Sequence, residues 1–111
     1  MWPGQQAIYK NIKPKYLLPY DKELNKNWKL KVDKLISWIT DSFHPANCIF
    51  AYFDEPDETA HDYGPFGNET LSKVKEDDEI IGYLIKKLNQ KYLFNRTNIV
   101  IVSDHGMAEV R

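Results

Sequence analysis

Two short segments of this 111-residue chain combine a carboxylate with an imidazole in positions that favour metal binding. In the first segment, Asp57 and His61 are four residues apart, so one helical turn would place both side chains on the same face. In the second segment, Asp104 and His105 are adjacent and precede Gly106. Carboxylate oxygens and imidazole nitrogens are both good zinc ligands, and a mixed set of them suits a catalytic metal. The four residues therefore predict one shared metal centre.

Other interpretations of these residues stay open at this level. Asp57 could simply cap a helix, and His61 could be an exposed loop residue, because each pair alone is a common pattern. Asp104 and His105 could diverge, one serving a metal and the other a substrate. If all four side chains converge, they could close one tetrahedral structural zinc site or form half of the ligand shell of a two-metal centre.

The sequence around each pair favours convergence. The apolar runs 47–53 and 98–102 lead directly into the two pairs, and such continuous runs are typical of strands buried on both faces, which are usually parallel. A helical pattern from about Thr70 to about Tyr92 lies between the runs, which predicts a βαβ unit with a right-handed crossover. Ligands in such α/β sheets bind beyond the carboxyl ends of the strands. We therefore expect both pairs at one edge of a sheet.

Apolar stripes predict where the two helices begin and which face each one buries. The first helix is predicted to start with Asp21 as its N-cap and to end at His44-Pro45, with its lysines on the opposite, solvated face. Its stripe comprises Leu24, Trp28, Val32, Leu35, Ile36 and Ile39. Asp78 falls on the stripe of the second helix and would need a hydrogen-bond partner, and Gly82 would allow close packing. That second stripe comprises Leu71, Val74, Ile81, Leu84, Ile85 and Leu88.

Composition limits the possible classes of protein. The formal charge of -1 and the pI of about 6.3 provide no basic surface for nucleic-acid binding, and an apolar content of 42% argues against disorder. The length allows one domain or a part of one, and the single cysteine, Cys48, cannot form an internal disulfide. The tripeptides that begin at Asn68 and Asn95 would accept glycans if the chain is secreted. No apolar segment of membrane-spanning length is present.

Several motifs together resemble the ectonucleotide pyrophosphatase/phosphodiesterase family of the alkaline phosphatase superfamily. The matching segments are Met1-Trp2-Pro3-Gly4, Glu55-Pro56-Asp57 with His61, Tyr63-Gly64-Pro65, Asp78-Glu79-Ile80-Ile81-Gly82, and Val102-Ser103-Asp104-His105-Gly106-Met107. Their order and spacing agree across essentially the whole chain. The resemblance implies a fragment of an α/β/α sandwich with a mostly parallel sheet. Residues 1–111 would then be part of a single phosphodiesterase catalytic domain, with an irregular arm at 1–20 and a helix-strand-helix-strand core at 21–111.

The resemblance also implies two zinc ions that bridge a phosphate. Asp57 and His61 match the motif for one zinc, whose third ligand is a histidine far downstream. Asp104 and His105 match the motif for the other zinc, which also takes an upstream aspartate and the upstream threonine nucleophile. None of these additional residues is present here. The chain is therefore expected to be an internal fragment of a catalytic domain, with no appreciable activity by itself.

Substrate contacts are implied by the same resemblance. In nucleotide-hydrolysing members, the Trp-Pro-Gly arm and two tyrosines help to form the nucleotide pocket, and Trp2, Tyr20 and Tyr52 stand at the matching positions. Tyr20 is the natural candidate for stacking on a base, an interaction worth roughly 1–3 kcal/mol. Gln6 occupies a position where some members carry an acid, which leaves the choice between nucleotides and lysophospholipid or choline phosphodiester substrates open.

The implied function is zinc-dependent hydrolysis of phosphodiester or pyrophosphate bonds by the full-length protein, through a covalent phospho-threonine intermediate. The expected substrate is a small-molecule nucleotide or a related phosphodiester outside the cell. The expected location is extracellular or at the cell surface, with any membrane attachment supplied by segments outside this chain. The alternatives are another enzyme of the superfamily, such as a sulfatase or a phosphomutase, and a non-catalytic cell-surface binding protein that keeps the fold.

Overall fold

The computed structural model describes residues 7–8, 10–19, 21 and 26–109. Within these ranges it contains three α-helices, α1 (Trp28–Ile39), α2 (Asp57–Tyr63) and α3 (Asn68–Gln90), followed by a 3-10 helix (Phe94–Arg96). The chain divides into two compact units, Met1–Phe53 with α1 and Asp54–Arg111 with the other helices. None of the helices in the described ranges has the length and apolarity needed to cross a bilayer.

Helix α1 begins at Trp28 because the Asn27 side chain caps its first turn. The Oδ1 atom of Asn27 accepts a hydrogen bond of 3.0 Å from the backbone N–H of Leu30, which satisfies a donor that the helix start leaves without an intrahelical partner. The prediction that Asp21 caps this helix is therefore wrong, since the N-cap is Asn27 and Lys26 before it is not helical. Leu24 of the predicted stripe lies outside the described residues.

The apolar face of α1 contains one lysine that the sequence pattern placed on the solvated side. Val32 and Ile36 are buried as predicted, but Lys31 is also buried, with only 2% of its surface exposed. Its Nζ atom donates to the backbone carbonyl of Tyr52 at 3.4 Å and lies 4.9 Å from the centroid of the Phe53 ring. The prediction of a fully solvated lysine face is wrong at this position, because an amine with a carbonyl and a ring face as partners can leave water.

The two predicted strands are not formed within the described residues. Residues 47–53 and 98–102 belong to no helix or strand. Apolar side chains in both runs stay exposed: Phe50 exposes 73% of its surface and Val100 exposes 81%. A strand needs a neighbouring strand to pair its N–H and C=O groups, and no such ladder is present in this part of the chain. The predicted sheet is therefore not seen here.

A tight turn joins α2 to α3 in the second unit. Gly64 ends α2 with a φ of 76°, a backbone conformation that favours glycine, and its N–H donates to the carbonyl of Ala60 at 2.9 Å. The Thr70 hydroxyl of α3 reaches back and donates to the Gly64 carbonyl at 2.8 Å. Gly67 N–H donates to the same carbonyl at 3.3 Å. These bonds hold the two helices against each other.

Helix α3 confirms the predicted extent of the second helix and, in part, the face it buries. Leu88 of the predicted stripe is buried, whereas Leu71 and Val74 of that stripe are about half exposed. Thr70 and Ile80, which lie outside the stripe, are buried as well. Neighbouring apolar residues at 80 and 81 allow two stripes about 100° apart, so the periodicity alone did not decide between them. Asp78 is exposed and needs no buried partner, and a methyl group on Gly82 would meet no described atom within 4 Å beyond its chain neighbours and the adjacent helix backbone.

Asp77, rather than Asp78, is the carboxylate that α3 partly buries. Burial and the negative charges of Glu55 and Glu76 raise the pKa of Asp77 from 3.8 to about 6, with Asp54 acting in the same direction and Lys73 opposing it. The unfolded chain therefore releases the Asp77 proton more easily than the folded one. As the pH rises from 3.8 through about 6, the folded state loses stability, because Asp77 ionises less readily there than in the unfolded chain. Above that range the full destabilisation by the ionised Asp77 is present.

Asp77→Asn is expected to stabilise the full-length protein at pH 7 by roughly 1 kcal/mol and to have little effect at pH 4. The shift corresponds to about 3 kcal/mol before solvent screening, and we reduce this value because the Asp77 side chain is only partly buried. The measurement is the difference in unfolding free energy between variant and parent at each pH. Asp78→Asn on the same helix is the control and should change stability by less than about 0.5 kcal/mol. An equal effect of Asp77→Asn on stability at both pH values would contradict the raised pKa of Asp77.

Candidate metal centre

Helix α2 places the first Asp/His pair on one face. Asp57 is the first residue of the helix and His61 follows one turn later, with 3.5 Å between Asp57 Oδ1 and His61 Nε2. The start of α2 is held by Glu55, whose carboxylate accepts from the Thr59 N–H at 3.0 Å and from the Thr59 hydroxyl at 2.8 Å. The predicted common face of Asp57 and His61 is thus confirmed, while their role as metal ligands stays a prediction.

Local backbone contacts orient the second pair. The His105 N–H donates to Asp104 Oδ1 at 3.1 Å, and the Ser103 hydroxyl donates to the His105 carbonyl. His105 Nδ1 lies 3.0 Å from the Gly106 carbonyl, so the tautomer with its proton on Nδ1 donates there and leaves Nε2 free to bind a metal. The Gly106 carbonyl raises the pKa of His105, with the carboxylates of Asp104 and Asp57 adding to that effect.

The two pairs meet at the carboxylate of Asp57. His105 Nε2 lies 3.6 Å from Asp57 Oδ1 and 3.9 Å from Asp104 Oδ1. Asp57 Oδ1 is itself buried and has no hydrogen-bond partner among the described residues. A buried carboxylate oxygen without a partner is costly, and a cation is the usual means of satisfying it. The arrangement brings His105 of the second pair to the first pair.

The donor set fits a divalent cation such as zinc, but it is incomplete. Two carboxylates and two imidazoles are suitable zinc ligands. In the described part of the chain, however, no three His, Cys, Asp or Glu side chains converge with a geometry that could hold one ion. A catalytic zinc normally takes three protein ligands, so the pairs would need further donors. The side chains of His61 and Asp104 are 69% and 70% exposed, which leaves them accessible to such donors.

The other predicted site residues are those expected to contact substrate or to carry glycans. Trp2 and Tyr20 lie outside the described residues. Tyr52 belongs to the first unit, where it is half-buried and lines a small cleft with α1. Asn68 is exposed at the start of α3, and Asn95 is exposed in the 3-10 helix.

Sequence reasoning missed Lys31, which contacts Tyr52. Its position three residues after Trp28 and four before Leu35 was the available signal, because those spacings place it on the apolar face of α1.

A family model and several related proteins match nearly the whole length of this chain. Residues 1–111 match the family model described as type I phosphodiesterase / nucleotide pyrophosphatase. The chain is 34% identical over 110 residues to bis(5'-adenosyl)-triphosphatase enpp4 of Mus musculus, which covers 98% of this chain and 24% of that protein. It is 30% identical over 113 residues to ectonucleotide pyrophosphatase/phosphodiesterase family member 7 of Homo sapiens, with the same two coverages. The chain thus spans about a quarter of the length of these curated relatives.

A solved structure extends the likeness to three dimensions. Murine ectonucleotide pyrophosphatase/phosphodiesterase 5, an inactive variant in complex with AMP, matches with a TM-score of 0.75 and 37% sequence identity. The match covers 85% of this chain and 24% of that chain, so this chain has the fold of the corresponding part of that structure. Given this match and the family model that spans every residue, the chain belongs to the type I phosphodiesterase / nucleotide pyrophosphatase family.

Proposed function

We propose that the full-length protein containing this chain hydrolyses phosphodiester or pyrophosphate bonds of nucleotides with the help of zinc. The observation that carries this proposal is the meeting of both Asp/His pairs at Asp57 Oδ1, which lies 3.5 Å from His61 Nε2 and 3.6 Å from His105 Nε2. Relatives are named as nucleotide pyrophosphatases or phosphodiesterases, and one relative is named as a bis(5'-adenosyl)-triphosphatase. Both descriptions concern nucleotide substrates with phosphorus–oxygen bonds to be cleaved.

In this proposal, Asp57 and His61 hold one zinc ion, and Asp104 and His105 hold a second. Bound zinc supplies positive charge that stabilises the phosphoryl oxygens and activates the attacking hydroxyl. The contribution of the chain is orientation: the turn of α2 presents Asp57 and His61 together, and the Gly106 carbonyl fixes the imidazole of His105. The threonine nucleophile and the remaining ligands are proposed to lie outside this chain.

We also propose that the apolar runs 47–53 and 98–102 form strands of a mostly parallel sheet in the full-length protein. The exposed apolar side chains support this proposal, because Phe50, Val100 and Val102 expose 73%, 81% and 75% of their surfaces here. Such surface is normally covered. The complete fold would be the α/β/α sandwich of the alkaline phosphatase superfamily, and residues 1–111 would form part of one catalytic domain.

The proposed substrate is a small-molecule nucleotide, bound in part by Trp2, Tyr20 and Tyr52. Support comes from the matching murine structure, which is described as a complex with AMP. We propose an extracellular or cell-surface location, since several relatives carry the name ectonucleotide pyrophosphatase/phosphodiesterase.

The test of this function is hydrolysis of p-nitrophenyl-TMP by the purified full-length protein. We expect turnover that a chelator abolishes and added zinc restores, and no turnover by residues 1–111 alone. Parallel assays with p-nitrophenyl sulfate examine the sulfatase alternative, for which activity on the sulfate ester would exceed activity on the nucleotide ester. Nucleotide turnover that survives complete removal of zinc would refute the proposal.

We further propose that Asn68 and Asn95 carry N-linked glycans. Both asparagines are exposed, whereas the hydroxyls of Thr70 and Thr97 are engaged by the carbonyls of Gly64 and Leu93. The glycans would therefore be attached before the chain folds. In a secretory host, Asn68→Gln and Asn95→Gln are each expected to lower the mass of the full-length protein by one glycan, measured by mass spectrometry before and after glycosidase treatment. An unchanged mass in either variant would exclude a glycan at that residue.

A further inference from the structure

Lys31 is a buried cation that the proposed chemistry does not use. Only 2% of its surface is exposed, and its Nζ atom donates to the Tyr52 carbonyl at 3.4 Å. The same atom lies 4.9 Å from the centroid of the Phe53 ring, within the range of a cation–π interaction. Burying an ammonium group costs several kcal/mol unless polar partners offset that cost. Lys31 therefore stays buried because residues 52 and 53 supply such partners.

A second side chain of α1 contacts Phe53. Trp28 lies three positions before Lys31, so both side chains project from one face of the first turns of α1. The Trp28 ring contacts the Phe53 ring edge to face, with centroids 5.7 Å apart and planes at 88°. The Asn27 cap sets where α1 begins and hence where Trp28 and Lys31 lie. Phe53 is thus contacted by both Trp28 and Lys31, and the Tyr52 carbonyl by Lys31.

This attachment bears on how Tyr52 is oriented. Lys31 Nζ donates to the Tyr52 carbonyl and lies over the Phe53 ring, so a side chain of α1 contacts the backbone at Tyr52 directly. The backbone at a residue determines which side-chain rotamers it can adopt. A bond to the Tyr52 carbonyl therefore restrains the direction of the Tyr52 ring.

We propose that Lys31 is a positioning residue that holds Tyr52 in place for nucleotide binding. This proposal rests on the proposed function, in which Tyr52 helps to bind the nucleotide. Lys31 touches neither substrate nor metal in this view, and acts through the Tyr52 carbonyl and the Phe53 ring. Loss of the charge should weaken recognition of the nucleoside and leave the chemistry at the phosphate unchanged.

The experiment compares Lys31→Met with Lys31→Arg in the full-length protein. Lys31→Met removes the charge and keeps the length of the side chain, and Lys31→Arg keeps a cation that can also stack on a ring. We expect Lys31→Met to raise KM for p-nitrophenyl-TMP about tenfold, part of the value of a stacked base, with kcat within about twofold of the parent. KM for bis(p-nitrophenyl) phosphate, which lacks a nucleoside, should stay unchanged. Lys31→Arg should bring KM for p-nitrophenyl-TMP back close to the parental value.

Lys34→Met is the matched control, because Lys34 is exposed on the same helix. It should leave both KM values at the parental level. An equal loss of kcat on both substrates in Lys31→Met, or an unchanged KM for p-nitrophenyl-TMP, would overturn the positioning role. If Lys31→Met does not fold, Phe53→Leu removes the ring beside Nζ and is expected to give the same selective rise in KM.

AMP affinity, measured by isothermal titration calorimetry, separates this proposal from the proposed function. We expect Lys31→Met to weaken AMP binding about tenfold and Lys31→Arg to restore it, in line with partial loss of a stacking interaction. A parent protein that binds AMP but hydrolyses no nucleotide would refute the proposed activity, and the AMP affinities would still decide the role of Lys31. Equal AMP affinities of the parent and Lys31→Met would overturn the positioning role of Lys31.

Discussion

His61→Ala and Asp104→Ala are each expected to lower kcat/KM of the full-length protein for p-nitrophenyl-TMP by at least about 10³-fold. Each substitution removes one of the two ligands that this chain is proposed to contribute to a zinc ion. Metal ions supply several kcal/mol of transition-state stabilisation, and every 1.36 kcal/mol is tenfold in rate. The zinc content of the purified variants, measured by plasma mass spectrometry, should fall together with the activity.

Two substitutions of exposed residues serve as matched controls for these variants. Asp62 is the exposed carboxylate next to His61, and His44 is an exposed imidazole in the first unit. Asp62→Ala and His44→Ala should keep kcat/KM within a few-fold of the parent and retain zinc. Full activity with full zinc content in His61→Ala or Asp104→Ala would show that these side chains are not ligands.

Gly67→Ala is expected to destabilise the full-length protein by about 2 kcal/mol, within the range of overpacking substitutions. A Cβ atom on Gly67 would lie 2.5 Å from the backbone carbonyl oxygen of Tyr63, closer than real Cβ contacts allow. The obstacle is backbone rather than a flexible side chain, so the turn itself must shift. Because this turn connects α2, which carries Asp57 and His61, to α3, part of the activity should be lost as well. Chemical unfolding and the p-nitrophenyl-TMP assay measure the two effects.

At Gly82, unlike at Gly67, replacement of glycine by alanine is expected to increase stability. Gly82 lies inside α3, and the added methyl group meets no described atom within 4 Å beyond its chain neighbours and the adjacent helix backbone. Alanine is the better helix former by about 1 kcal/mol. We therefore expect a gain in stability of roughly 0.5–1 kcal/mol and unchanged activity. If Gly67→Ala and Gly82→Ala had the same effect, the close approach at Tyr63 would not govern the turn.

Local features of the candidate site followed directly from sequence. The spacing of Asp57 and His61 placed them on one helical turn, since a helix brings residues four apart to one face whatever surrounds it. The extent of α3 followed from the length of its periodic pattern for the same reason. The motif order also indicated the family, and the family model matches residues 1–111.

The burial of individual charged residues could not be read in the same way. Lys31 and Asp77 are charged residues that a pattern based on hydrophobicity assigns to solvent. The carbonyl and ring beside Lys31 come from residues 52 and 53, and the charges around Asp77 come partly from Glu55. Such partners are distant in sequence, so the pattern of one helix contains no information about them.

By itself, the sequence determined which residues could bind a metal and that Asp57 and His61 share one face of a helix. Backbone geometry within a helix turn imposes that relation locally. Only the tertiary structure decided that His105 meets Asp57 and that Lys31 is buried against Tyr52. It also decided that the apolar runs stay unpaired in the described residues, since a strand forms only where another strand accepts its hydrogen bonds. Contacts of this kind depend on how distant segments pack, and no local pattern encodes them.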